Sequence, residues 1–358
     1  MSGNTNLLTN FDRKSLRNKI LLFILLIIFN QTIFYIINLK NRLNLSNIFS
    51  GIYSDLFLFA RDKKELKPII SKKKLNYSIK EKKGVCLCAI CKNEKLYILE
   101  FVQYYQKLGY KKLIIFDNND INGEKIDRIL KDYISNNFVE IIDIRGLEKV
   151  QLASYNYCYK KNNYLYDWIS FFDMDEFLYI KNNLNINTFI YNKRFEKCQS
   201  ILLNWNICDD NNLERYDNRP LLERFKNCHK RTNTVKSIVR GNLKIKFIPT
   251  LHICAVNVNS FCDSNGNRIF PKSLITYNFN KNTYNAYIKH FYTKTAEEFC
   301  AKLNRGDGQY TESKNHIRKL KAFLRINKIT KNKIKILEEC TKVNLTKLIQ
   351  KKKIYNYL

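Results

Sequence analysis

Glycine is scarce in this sequence, with 10 among 358 residues, and proline scarcer still, with 4. No Gly-x-Gly-x-x-Gly follows the first apolar run, Val85-Cys-Leu-Cys-Ala-Ile-Cys91, so a dinucleotide pyrophosphate cradled on backbone amides is excluded. No Walker sequence is present either, which leaves any bound nucleotide to side chains and a metal. Acidic residues number 32 against 63 Lys and Arg, a net charge of +31. Such a balance suits nucleic acid, anionic membrane or phosphorylated substrates. Here the basic residues are spread along the whole chain and form no single arm, so nucleic acid is not expected as a partner. Cys-x-x-Cys occurs once, at Cys88 and Cys91, and no second pair lies at zinc-site spacing. Cys86, Cys88 and Cys91 on their apolar run are expected as buried free thiols. Cys198, Cys208, Cys228, Cys254 and Cys262 are candidates for disulfides in a lumenal domain.

What the chain does have, first, is one charge-free apolar stretch from Ile20 to Leu39, about 30 Å long as a helix and enough to span a bilayer. No small-residue cleavage site follows it, so a membrane anchor is expected rather than a signal peptide. Arg13, Lys14, Arg17 and Lys19 precede it and favour a cytoplasmic residue 1–19 segment. Residues 40–83 are polar, lysine-rich and aperiodic, as a stem would be.

From residue 84 onward, apolar runs of strand length alternate with helical periodicity. Val85 to Cys91, Lys112 to Phe116 and Val139 to Ile144 are expected as strands, separated by helices through Tyr97 to Leu108, Ile126 to Tyr133 and 150–162. Alternation of this kind predicts an α/β domain with a mainly parallel sheet flanked by helices. The fourth strand carries the acid-rich stretch Trp168-Ile-Ser-Phe-Phe-Asp-Met-Asp-Glu-Phe177. On an extended backbone Asp173 and Asp175 point to the same side, about 6–7 Å apart, at the open carboxyl edge where α/β sheets bind ligands. Paired carboxylates of that kind repel unless a cation or a proton comes between them, and a divalent metal with oxygen ligands is the reading they support. Strands are expected again at Ser200 to Trp205 and Lys244 to Ile248. Residues 311–358 read as a basic helical tail.

The order of the motifs resembles glycosyltransferase family 92 and its family-2-like relatives, enzymes of GT-A fold. The matching pieces are CAICKNE (88–94), LGY (108–110), IIFDNND (114–120), the helix led by Gln151, DWISFFDMDEF (167–177), the Trp205 strand, ERF (223–225), KSIVR (236–240), His252, HFYTKTAEEF (290–299) and RGDG (305–308). They cover about residues 84–310. By that resemblance the donor is a UDP-sugar, with Asn93 and Glu94 near the base and Asp117 near base or ribose. Asp175 is then the direct metal ligand, with Asp173 on ribose or metal and Glu176 in support. His290 completes the metal shell with His252 as its rival, Lys294 meets the pyrophosphate and Arg305 a phosphate. A histidine ligand favours Mn²⁺ over Mg²⁺. Inverting transfer requires a carboxylate base, for which Glu223, Asp307 and Asp210 are candidates. The implied protein is a single-pass, type II enzyme of a Golgi- or ER-like membrane, acting on a glycan, glycoprotein or glycolipid acceptor with a hexose such as galactose. Two other classes remain: an Asp-x-Asp phosphatase of the haloacid-dehalogenase kind, and a basic module that binds glycans or nucleic acid without catalysis.

Overall fold

The computed structural model describes residues 83–228, 230–243, 245, 248–254, 261–271, 285–305 and 313–345. The expected anchor at 20–39, nearly all of the stem, Asp307 and most of the expected strand at 244–248 lie outside the described residues. Among the described residues no helix is long and apolar enough to cross a membrane.

The expected alternation is present. Strand β1 (Val85–Cys91), helix α1 (Ile98–Lys107), strand β2 (Lys112–Asp117), short helices α2 (Ile126–Ile129) and α3 (Lys131–Ser135), strand β3 (Val139–Asp143), helix α4 (Gln151–Asn162) and strand β4 (Trp168–Phe171) follow one another in the chain. Every residue of β2 is buried, as is all but one of β1, which is why both read as unbroken apolar runs rather than alternating ones. Their side chains still alternate between two cores. Val85, Leu87, Ala89 and Cys91 pack with Ile98, Phe101, Val102 and Tyr105 of α1, whereas Cys86 and Cys88 pack with Tyr155 and Cys158 of α4. Helix α1 ends as the sequence suggests. Gly109 takes φ +91°, and the amides of Gly109 and Tyr110 return to the carbonyls of Gln106 and Tyr105, a Schellman closure that a residue with a Cβ would strain.

Beyond β4 come β5 (Glu176–Ile180), α5 (Ile186–Ile190), β6 (Ser200–Ile207), α6 (Leu221–Arg224), β7 (Lys230–Arg240), β8 (Phe261–Cys262), β9 (Arg268–Ile269), β10 (Ala286–His290), α7 (Ala296–Asn304), α8 (Ser313–Ile326) and α9 (Lys331–Thr341). The sheet runs β3-β2-β1-β4-β7-β6-β10-β5. Its first four strands are parallel, but β7 joins β4 antiparallel and β5 joins β10 antiparallel. The expectation of a mainly parallel sheet therefore holds for the amino-terminal half, and the rest is mixed. The basic tail is folded against the domain: Leu320 and Phe323 of α8 and Leu337 of α9 bury against Phe299 and Leu303 of α7.

Two further expectations are corrected. Asp173 and Asp175 do not lie on one extended strand but in the turn between β4 and β5, where the Glu176 amide donates back to the Asp173 carbonyl. Nor is Cys88 a free thiol, since it is bonded to Cys158, seventy residues away on the helix that covers it. Cys198–Cys262, Cys208–Cys228 and Cys300–Cys340 are also disulfides, and Cys86, Cys91 and Cys254 are buried thiols.

Candidate active site

The β4–β5 turn is held from below by an aromatic cluster. Phe101, Tyr105, Phe172 and Phe177 contact one another with ring centroids 4.7–6.3 Å apart, and such pairs add roughly 1 kcal/mol each beyond burial. The Tyr105 hydroxyl donates to the Glu176 carbonyl at 2.8 Å and accepts from the Leu178 amide at 3.2 Å. The backbone that follows the two aspartates is thereby fixed by α1.

The acids themselves face separate cations. Asp173, about one-third exposed, accepts from Gln151 Nε2 at 2.7 Å and Tyr155 Oη at 3.1 Å on Oδ1, and from Lys236 Nζ at 2.8 Å on Oδ2. Burial would raise its pKa, but the Lys236 ammonium outweighs burial and holds it below the usual carboxylate range. Asp175 is buried, not at an open edge as its position after an apolar run suggested. Its Oδ2 takes Lys302 Nζ at 2.6 Å and its Oδ1 stands 3.5 Å from His290 Nε2. Here too burial acts upward, and Lys302 and His290 together hold the carboxyl well below its ordinary value. Glu176 goes the other way. Fully buried, 3.4 Å from Lys236 and next to two carboxylates, its pKa is pushed well up by burial first and by the charges of Asp173 and Asp175 second. Cations thus face two of the acids, and burial favours the protonated form of the third, which lessens the repulsion among them.

His290 arrives on β10, whose antiparallel register with β5 sets it opposite Glu176. Its ring lies 4.2 Å from Trp205, and burial lowers its pKa despite Asp175, so the imidazole is neutral near pH 7 and keeps a lone pair. His290 Nδ1 and Trp205 Nε1 are buried without a hydrogen-bond partner among the described residues. His252 also contacts Trp205, ring centroids 5.3 Å apart, with Nδ1 donating to the Val235 carbonyl. Burial and the Lys236 charge lower its pKa to about 4.

Lys294 and Arg305 come from the same carboxy-terminal segment and meet at Glu94. Lys294 Nζ is 3.5 Å from Glu94 Oε2 and 3.6 Å from the centroid of the Tyr97 ring, while Arg305 Nη1 pairs with Glu94 Oε1 and donates to the Lys92 carbonyl at 2.8 Å. Burial lowers the Lys294 pKa. Both Asn93, at φ 50°, and Lys294, at φ 53°, hold left-handed backbone, which is costly for a lysine and persists where the surroundings enforce it. The Asn93 amide donates to Asn119 Oδ1 at 2.7 Å, and Asn119 Nδ2 in turn donates to Asp117 at 2.7 Å, which also receives Arg145 Nε at 2.9 Å. The ends of β1 and β2 are thus tied into one network beside the acid turn.

The base candidates are dispersed. Glu223 is exposed on α6, next to Arg224, whose guanidinium reaches Glu298 and through it the Tyr97 hydroxyl that underlies Lys294. Asp210 is buried 2.6 Å from Lys333, and burial raises its pKa. Asp307 lies outside the described residues. Sequence reasoning missed Lys302, Lys236, Gln151 and Tyr155 as partners of the two aspartates. A signal for the first existed in Thr295-Ala-Glu-Glu298, a capping box that starts α7 and sets Glu298, Lys302 and Arg305 on one face at spacings of four and three. A cleft of about 740 Å³ between Gly84, Gly109, Asn187 and Tyr191 sits at the opposite, amino edge of β1 and β2 and includes none of these groups.

As a cation site the arrangement has two suitable donors. Asp175 Oδ1 and His290 Nε2 are close enough to share one ion, and the Lys302 ammonium already occupies a position between the Asp175 carboxylate and the Tyr292 carbonyl, 2.9 Å away. Among the described residues no group of three His, Cys, Asp or Glu side chains is arranged to hold a metal. A divalent ion would therefore take the remaining positions from phosphate oxygens or water, as Mg²⁺ and Mn²⁺ do.

Residues 81–322 match the family model described as Glycosyltransferase family 92. A family 92 protein of Ricinus communis is 27% identical over 109 residues, which is 30% of this chain and 19% of that protein, and one of Arabidopsis thaliana is 28% identical over 110 residues, 31% and 18% respectively. The similarity thus spans less than a fifth of those relatives. Among solved structures, S. aureus TarS 1-349 is 11% identical with a TM-score of 0.34, covering 68% of this chain and 71% of that one. A mannosyltransferase from Pyrobaculum calidifontis, in complex with GDP-Man and Mn²⁺, is 9% identical with a TM-score of 0.25, covering 49% and 47%.

Proposed function

The chain belongs to glycosyltransferase family 92, and on that premise we propose that it transfers a sugar, a hexose such as galactose, from a UDP-sugar to a hydroxyl of a glycan, glycoprotein or glycolipid. The observation that carries the reading is the convergence of Asp175, His290, Lys294 and Arg305, from a turn, a strand, a loop and a helix end, beside the carboxyl ends of β1 and β2. A GT-A assignment accords with that placement. Asp175 and His290 would hold Mn²⁺ or Mg²⁺, and when bound the ion supplies Lewis-acid neutralisation of the departing diphosphate. Lys294 and Arg305 exchange Glu94 for phosphate oxygens, since a diphosphate is a stronger partner for both than one buried carboxylate. Asp173, fixed by Gln151, Tyr155 and Lys236, faces the ribose. Its two engaged oxygens speak against a phosphatase nucleophile. Direct displacement inverts the anomeric centre, with Glu223 or Asp307 taking the acceptor proton.

Four disulfides favour an oxidising compartment, which agrees with a type II anchor at residues 20–39 and a lumenal domain. Donor hydrolysis across UDP-, GDP- and CDP-sugars, with and without Mn²⁺, tests the reading. Turnover confined to UDP-sugars and raised by Mn²⁺ is expected, and no turnover of any nucleotide sugar overturns it.

A further inference from the structure

Lys302 lies between the stretches HFYTKTAEEF (290–299) and RGDG (305–308) and in neither of them, yet it makes the shortest contact to the central acid. Its ammonium is 2.6 Å from Asp175 Oδ2 and 2.9 Å from the Tyr292 carbonyl, and it lies 4.6 Å from the centroid of the Tyr292 ring. Two oxygens and an aromatic face are the surroundings of a bound cation. Helix α7 brings the group there: the Thr295 capping box fixes its start, Phe299 and Leu303 bury against α8 and α9, and Lys302 is turned toward the acid turn. Lys294 and Arg305 act on the same carboxylate at longer range, so the region around Asp175 already carries more than one compensating positive charge.

We propose that Lys302 is the resident cation of this site, occupying the carboxylate that a divalent ion would use and withdrawing from it when metal and nucleotide diphosphate enter together. This rests on the proposed function. The physical reason is like-charge repulsion: an ion at Asp175 and His290 would lie within a few ångströms of the ammonium in a poorly solvated setting, where little screens it. The incoming diphosphate supplies the negative charge that lets both cations remain. The free protein consequently holds a divalent ion weakly, and nucleotide and metal strengthen each other's binding.

Mn²⁺ alone, titrated calorimetrically into the full chain and its variants, tests this. Lys302→Met keeps the aliphatic stem and removes the charge, and it should bind Mn²⁺ at least about tenfold more tightly than the native chain. Lys302→Arg keeps the charge and should bind like the native chain. Adding His290→Ala to Lys302→Met should abolish the gain, placing the ion at Asp175 and His290. Unchanged or weaker Mn²⁺ binding by Lys302→Met, equal tightening by Lys302→Arg, or a gain that survives His290→Ala each overturns the proposal. Repeating the titrations with UDP separates the two claims. If the native chain takes up Mn²⁺ with UDP while Lys302→Met shows no gain for Mn²⁺ alone, only the resident-cation role falls; if neither protein binds Mn²⁺ with UDP, the proposed function falls and this inference with it.

Discussion

Asp175 Oδ1 and His290 Nε2 face each other at 3.5 Å, one from the β4–β5 turn and the other from the end of β10, with Trp205 packed behind the imidazole. Lys294 lies farther along the same segment, on Glu94. On the proposed function ion and diphosphate share that side of the site, so His290→Ala should weaken Mn²⁺ and UDP binding together, by about tenfold or more. Lys294→Met should weaken UDP and leave metal uptake nearly unchanged. Separate calorimetric titrations of the two variants check both halves, and a metal defect in His252→Ala with none in His290→Ala would transfer the ligand role to His252.

The buried pair of Arg224 and Glu298, with contacts of 2.9 and 3.0 Å and a third bond from the Tyr97 hydroxyl, ties α6, α7 and the start of α1 together. Replacing only Arg224 by Met strands a buried carboxylate and should cost about 3–5 kcal/mol in urea unfolding, whereas Arg224→Met with Glu298→Gln should cost clearly less. Burial raises the Glu298 pKa, but the bonds from Arg224 and Tyr97 outweigh it and leave it below its ordinary 4.5. A depressed carboxylate stabilises the fold fully above that ordinary value and loses its contribution as pH falls through the folded-state pKa. Acid unfolding of the Glu298→Gln protein should accordingly depend less on pH than that of the native chain.

Glu176 gives the opposite sign. Its pKa is raised, so its contribution is complete below about 4.5 and declines as pH rises toward the folded-state value, because the unfolded chain has then already released the proton. Glu176→Gln, which mimics the protonated form, should gain melting temperature relative to the native, metal-free protein between pH 5 and pH 8 on the order of a few degrees. A difference that is constant over that range would mean that Glu176 is ionised.

Alkylation under non-reducing conditions followed by mass spectrometry should find four disulfides, with Cys86, Cys91 and Cys254 reacting only after unfolding. Loss of Cys300–Cys340, which joins α7 to α9, should cost about 2–4 kcal/mol. Rapid labelling of Cys88 in the native protein would contradict its bond to Cys158.

Strands β1, β2 and β4 were legible because they are buried on both faces and are therefore almost continuously apolar, and Gly109 and Gln151 mark helix boundaries. Strand β3, half-buried with Glu140 and Asp143, was legible from its place in the alternation. Asp173, Asp175, His290, Lys294 and Arg305 were legible as candidates by residue type; in the structure Asp175 stands 3.5 Å from His290, Lys294 and Arg305 meet at Glu94, and Asp173 pairs with Lys236. What local pattern could not supply was pairing over distance. Lys302 lies 127 residues from Asp175, and in a chain with 63 Lys and Arg no single lysine stands out. The antiparallel entry of β7 and β10 follows long connections whose length says nothing about register. Burial of Asp175 was missed for a related reason: the elements that cover it, α7 and β10, come more than a hundred residues later.

The central claim is that Asp175 organises metal-supported binding of a nucleotide diphosphate. Its most direct test is UDP titration of the native chain and Asp175→Asn, each with and without Mn²⁺, with melting curves to show that both proteins are folded. Asp175→Asn leaves Lys302 without its anion and should melt lower, yet remain folded. The account predicts that Mn²⁺ tightens UDP binding by the native chain and has no effect on the variant. Equal tightening of both proteins would contradict it and reduce the acid turn to a structural ion-pair network.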